Sequence, residues 1–99
     1  MITWIRTATA LPGKTGEAVA FANEIAGPVK RVVGRDVTVS TAFGGPLAAI
    51  AWIAHYDNAG QVEEANAKLA ADREYQTILA KAHGLFVPGS GHDQMWRQV

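Results

Sequence analysis

The sequence predicts an α+β domain with the element order βαββαβ. Two observations carry that expectation. The stretch Arg35 to Tyr56 holds two β-type runs around Gly44-Gly45-Pro46, and helical periodicity both precedes and follows it. In addition, a short strand-like run stands at each end of the chain.

Ile2 to Ala10 mixes β-branched and aromatic residues, with Thr3, Thr7 and Thr9 at alternating positions, as in a strand whose two faces differ. Pro12-Gly13 ends it. From Lys14 the period changes: Ala18, Phe21, Ala22, Ile25, Val29, Val32 and Val33 fall at helical spacings. Gly27-Pro28 predicts a kink or two short helices, because proline removes an amide donor and crowds the preceding turn. Gly34 is placed to end the segment in a left-handed conformation.

In the hairpin, Val37, Val39, Thr41 and Phe43 share one face and Thr38, Ser40 and Ala42 the other. If Phe43 pairs with Leu47 across a three-residue loop, Thr38 and Ser40 lie on the face of Trp52 and Tyr56. Neither face is charged, which predicts a sheet covered on both sides, by helices and by a second copy of itself. Asn58 with Gln61 resembles a capping box for a helix that turns Val62, Ala65 and Leu69 inward. Asp72 is a second N-cap, followed by the stripe Tyr75, Ile78, Leu79, Ala82 and Phe86, with an end near His83 before Gly84. Leu85-Phe86-Val87 leads into a loop, Pro88-Gly89-Ser90-Gly91, and Asp93 to Val99 alternates as a final strand. Trp4 and Trp96, on the two terminal strands, are expected to pack near each other. A single central hairpin in this order matches the ferredoxin-like split βαβ arrangement: a four-stranded antiparallel sheet, helices on one face, the first and third strands at its centre.

Ninety-nine residues predict one domain over 1–99. A core of that size buries only roughly 60 to 68% of the unfolded surface, so a partner subunit would help. Nine basic and nine acidic residues cancel with no block of like charge, against nucleic acid or an anionic membrane as partner. No stretch approaches the roughly 20 apolar residues of a membrane span, and the N-terminal residues lack a signal-like pattern, so a cytoplasmic location is expected. The absence of cysteine excludes disulfides, thiolate metal sites and cysteine nucleophiles.

Four segments carry a resemblance to a known superfamily: Leu11-Pro12-Gly13-Lys14 leading into the first helix, His55-Tyr56-Asp57-Asn58 closing the third strand, and Ala71-Asp72-Arg73-Glu74-Tyr75-Gln76 followed by Leu85-Phe86-Val87-Pro88-Gly89-Ser90. The chain resembles the dimeric α/β-barrel superfamily, which includes NIPSNAP-like proteins and antibiotic-biosynthesis-type monooxygenases. Asp72 to Tyr75 is similar to the Asp-Pro-Glu-Trp/Tyr-type segment of NIPSNAP-like proteins, with Arg73 where proline is usual. The resemblance implies a homodimer in which two sheets face each other as a barrel with the helices outside. It also implies space for a small ligand between helices and sheet. It does not fix an activity, since the fold hosts oxygenation, isomerisation, haem breakdown and proteins of unknown function. The haem-degrading relatives carry a tryptophan before, and a histidine within, the segment corresponding to Lys68 to Ile78; neither stands here.

The residues offer few candidates for chemistry. Arg6, aligned with a pocket position of a haem-degrading relative, could grip a carboxylate or phenolate, or serve in a salt bridge. His83 could act as a general base or complement the end of a helix dipole. Tyr75 could direct its hydroxyl into a cavity. Trp52 and Tyr56 could line a ligand pocket, but the pairing assumed above puts them in the dimer barrel, with any chemistry on the opposite face. His55, His83 and His92 lack metal-ligand spacing, and no metal or other cofactor is expected. Two functions stay open: a homodimeric protein binding a small apolar or aromatic ligand, or a cofactor-independent monooxygenase or isomerase acting on a small aromatic or polyketide-like substrate. Whether the chain is an enzyme is undecided by sequence.

Overall fold

The computed structural model describes residues 1–99. Its elements are β1 (Ile2–Thr9), α1 (Thr15–Val33), β2 (Thr38–Thr41), β3 (Ala49–Tyr56), α2 (Ala59–Ala71), α3 (Arg73–Leu79) with a 3₁₀ turn at Ala80–Ala82, and β4 (His92–Arg97). The four strands form one antiparallel sheet in the order β2-β3-β1-β4. The first and third strands are therefore central, as right-handed crossovers require. This is the expected α+β ferredoxin-like architecture. No helix is long and apolar enough to cross a membrane.

The helix ends follow the local chemistry of the sequence. Gly34 takes φ 77° and donates its amide to the carbonyl of Lys30, closing α1 at a conformation that a side chain would strain. The Asn58 side chain accepts from the Gln61 amide at 3.0 Å, and the Gln61 side-chain oxygen accepts from the amide of Asp57 at 2.8 Å. That reciprocal pair is a capping box displaced by one residue. Asp72 accepts from the Tyr75 amide at 2.9 Å, starting α3 directly after α2.

Two expectations are corrected. The first concerns Gly27-Pro28, which neither divides α1 nor ends it: the helix runs unbroken for 19 residues with Pro28 buried in it. Pro28 leaves the carbonyl of Glu24 without an amide partner, but Glu24 is exposed, so water can supply one. Burial of Phe21 and Ile25 on the same helix, at about 1.5 to 3 kcal/mol each, is large enough to offset the proline.

The second correction concerns the hairpin register. Val39 stands opposite Trp52 and Thr38 opposite Ile53, one residue away from the expected pairing. Phe43 and Leu47 are not strand residues but fully exposed loop residues, and the loop reverses through Gly45 at φ 82° and Ala48 at φ 59°. A slip of one residue exchanges the faces of a strand. Val39 thus shares the helix-covered face with Ile50, Trp52, Ala54 and Tyr56, all four of which are buried, while Thr38 and Ser40 share the open face with Ala51 and Ile53.

Two apolar clusters form between sheet and helices. One gathers Phe21, Ile25, Ile50, Trp52, Ile78 and Leu85 with small alanines; the other gathers Ile2, Ala54, Tyr56, Val62 and Ala65. Trp4 and Val37 touch both clusters. The turn after α3 is tied to the sheet through Val87, which donates to the Thr9 carbonyl at 2.8 Å, and through Ser90, whose hydroxyl accepts from the Thr9 amide at 3.1 Å. The Pro88-Gly89-Ser90 segment is thereby a structural clasp.

Candidate functional site

Where the two clusters meet, the helices do not fill the space above the sheet. A cavity of about 90 Å³ remains, with 12 of its 14 lining residues hydrophobic. Each element supplies its wall for a local reason. Strand alternation on β1 and β3 turns Trp4, Arg6, Trp52 and Tyr56 upward. Helical spacing on α1 presents Phe21, Ile25 and Val29, and the N-caps at Asn58 and Asp72 aim α2 and α3 so that Val62, Leu69 and Tyr75 close the roof.

The aromatic wall is held firmly. The Trp52 ring lies edge-on to Phe21 at 6.5 Å and tilted against Phe86 at 6.1 Å, and its indole N–H donates to the Ala22 carbonyl at 3.3 Å. Tyr56 is only 5% exposed, with the Arg35 guanidinium 5.7 Å from its ring centroid. Arg35 itself donates to Gln61 at 2.7 Å and to Asp57 at 3.3 Å, so it ties the β3–α2 corner to the back of the Tyr56 ring. Burial raises the Tyr56 phenol pKa, an effect that Arg35 only partly opposes. Tyr56 is therefore a neutral hydrogen-bond donor.

Polar groups on the wall are few. Arg6 donates from Nε to Asp93 Oδ1 at 2.7 Å and from Nη2 to Asp93 Oδ2 at 2.9 Å, across the directly paired positions of β1 and β4. Its guanidinium lies 5.1 Å from the Trp4 ring centroid. The Asp93 hydrogen bonds raise the Arg6 pKa despite desolvation, with a smaller contribution from the Tyr75 phenol, and Arg6 in turn lowers that of Asp93. Asn66 completes the polar set from α2.

Of the residues singled out in the sequence, Arg6, Tyr75, Trp52 and Tyr56 therefore meet at one cavity. For Trp52 and Tyr56 this reverses the expected placement, since the register turns them toward the helices and away from the open sheet face. His83 does not join them: it is exposed, caps the 3₁₀ turn and does not line the cavity. His55 is also exposed and contacts the Thr3 hydroxyl at 3.2 Å. Trp4 and Trp96 occupy opposite faces of the sheet, because Trp96 pairs with Thr3. Trp4, Asn66 and Asp93 were not singled out as site residues by the sequence. The one available signal was alternation, which places Asp93 on the same strand face as Met95 and Arg97 but names no partner for it.

No protein-family model matches the chain, and no curated protein matches it by sequence. Solved structures do. An uncharacterised NIPSNAP domain protein from Burkholderia xenovorans aligns with a TM-score of 0.86 at 18% identity, covering 100% of this chain and 95% of that one. A NIPSNAP family protein from Agrobacterium tumefaciens gives 0.84 at 19% identity, over 99% and 92%. The chain has the NIPSNAP-type ferredoxin-like fold. An antibiotic-biosynthesis-monooxygenase-like protein from Nitrosomonas europaea shares that fold more distantly, at a TM-score of 0.75 and 11% identity over 100% and 99%. Identities this low carry the NIPSNAP-type architecture and not an activity, so function has to be argued from the cavity.

Proposed function

We propose that this NIPSNAP-fold chain is a homodimeric α/β-barrel protein that binds a small apolar or aromatic ligand between helices and sheet. The observation that carries the reading is the cavity itself: a mainly apolar space walled by Trp4, Trp52, Tyr56 and Tyr75, with Arg6 and Asn66 as its other polar groups. Ligand sites are commonly of this kind, apolar with a few placed polar atoms. Its volume is below the roughly 150 Å³ of an engineered cavity that admits benzene. A ligand of one ring is therefore only partly enclosed, its polar substituent lying toward the rim, where Asn66 and Leu79 are exposed.

Dimerisation is supported by the other face of the sheet. There Thr3, Ile5, Thr7, Ala51, Ile53 and Trp96 form a surface on which His55 and His92 are the only ionisable side chains, and Trp96 is 61% exposed in the single chain. A sheet face without charge is suited to cover by an identical face.

The alternative, a cofactor-independent monooxygenase or isomerase, retains Arg6 and Tyr75 on the wall but loses His83 as a base. Of the carboxylates bonded to wall residues, Asp93 is bound by Arg6 at both oxygens and Asp72 is engaged by the Tyr75 amide and Arg31. Binding is thus favoured over catalysis. Titration of the purified chain with single-ring compounds, followed by quenching or shift of tryptophan emission, tests the reading. Saturable binding that Trp52→Phe or Tyr56→Phe weakens is expected; no saturable response to any such compound at millimolar concentration would overturn it.

A further inference from the structure

The charge state of the cavity wall limits what a ligand there can be. Arg6 is the only cationic side chain that lines the cavity, and its charge is already balanced by Asp93, held on the Nε–Nη2 edge of the guanidinium at 2.7 and 2.9 Å. The pair is fixed by strand register, since Arg6 and Asp93 are directly opposed on neighbouring strands. Trp4 backs the guanidinium at 5.1 Å, which restricts its rotation toward a second partner. Arg35, the next cation, lies behind the Tyr56 ring, is engaged by Gln61 and Asp57, and does not line the cavity. The wall is therefore formally neutral. Tyr56 and Asn66 remain without a hydrogen-bond partner within the chain, one a phenol and the other an amide that both donates and accepts.

We propose that the site takes an uncharged single-ring compound bearing a carbonyl or hydroxyl oxygen, and that the Arg6–Asp93 pair keeps carboxylates out. The proposal rests on the ligand-binding reading above and adds the ligand's charge. A carboxylate entering the site must either share Arg6, through its free Nη1 edge, with an anion that already balances the charge, or displace Asp93 and leave that anion beside it. A neutral oxygen incurs neither cost and accepts from Tyr56 or Asn66.

Benzamide and benzoate test this directly, being nearly isosteric and differing by one charge at pH 7.5. The expected result for the unaltered chain is benzamide binding at least tenfold tighter than benzoate in calorimetric or fluorescence titration. In Asp93→Asn, which frees Arg6 while keeping the side-chain shape, benzoate affinity should rise tenfold or more and the preference should narrow or invert. Asp93→Ser should do the same, and Asp93 lies on an edge strand with a half-exposed side chain, where both changes are tolerated. In the double variant Arg6→Gln, Asp93→Asn the benzoate gain should disappear. Benzoate binding as tightly as benzamide to the unaltered chain, or an unchanged benzoate affinity in both Asp93 variants, overturns the charge exclusion while leaving ligand binding intact. Failure of both compounds to bind any form overturns the ligand-binding reading instead.

Discussion

Replacing Trp52 by alanine probes the register correction and the site together. Trp52 is 8% exposed, meets Phe21 and Phe86 ring to ring, and donates its indole N–H to Ala22. Truncating a buried tryptophan to alanine costs about 3 to 5 kcal/mol, the loss of transfer energy plus an unfilled cavity. A domain of this size has a total stability of about 5 to 15 kcal/mol, so the variant should sit near the edge of folding. At about 4 to 8 °C per kcal/mol, the midpoint of thermal unfolding should fall by roughly 12 to 40 °C. Trp52→Phe keeps a ring and gives up one long hydrogen bond, worth about 0.5 to 1.5 kcal/mol, plus part of the packing. Urea denaturation followed by far-ultraviolet circular dichroism, at two protein concentrations tenfold apart, checks the values. A core residue gives the same loss at both. If Trp52 lay on the open face instead, truncation would change the isolated chain by less than about 0.5 kcal/mol and act through dimerisation. A loss below about 1 kcal/mol, or one that vanishes on dilution, refutes the face assignment.

Three further outcomes follow from named contacts. Ile53→Lys places a charge on the open face without entering the core and should convert the proposed dimer to monomer in sedimentation velocity, with circular dichroism unchanged; a persistent dimer removes that face as the interface. Asn58→Ala removes the cap on α2 and should cost about 1 kcal/mol in urea titration, whereas Asn58→Asp should restore most of it. Acid should destabilise the fold: Arg6 holds Asp93 below the usual carboxylate range, and the Tyr75 amide, then Arg31, do the same for Asp72. For groups whose pKa falls on folding, the stabilisation is complete above the unfolded value of about 4 and is lost as pH drops through the folded values. The urea midpoint should hold above that pH and fall below it, and Asp93→Asn should flatten the fall.

Much of the fold was legible because its signals are local. Gly34, Asn58 and Asp72 end or start helices through contacts within four residues, and Ile50 to Tyr56 alternates buried with less buried residues. The strand order followed from crossover handedness. The hairpin register was not legible for a physical reason. Gly44-Gly45-Pro46 looks like a tight three-residue turn, but the chain reverses through a wider loop that includes Ala48 at positive φ, a conformation that alanine seldom reveals in sequence. Because both faces of the hairpin are uncharged, polarity could not correct the pairing. Pro28 misled for the opposite reason: its local penalty is real, but it is set against burial of the whole inward face of α1.

The site was less legible than the fold because its walls come from five elements, each contributing residues that look ordinary in their own setting. Val29, Val62 and Leu69 are what any amphipathic helix would bury, and only the incomplete filling between two clusters makes them a cavity wall. The decisive charge relation, Arg6 with Asp93, joins residues 87 positions apart and depends on strand register. Read without its partner, Arg6 was an anion-binding candidate. Read with Asp93 at 2.7 Å, it is half of a neutral pair, and the chemistry the cavity favours changes from a carboxylate to an uncharged oxygen.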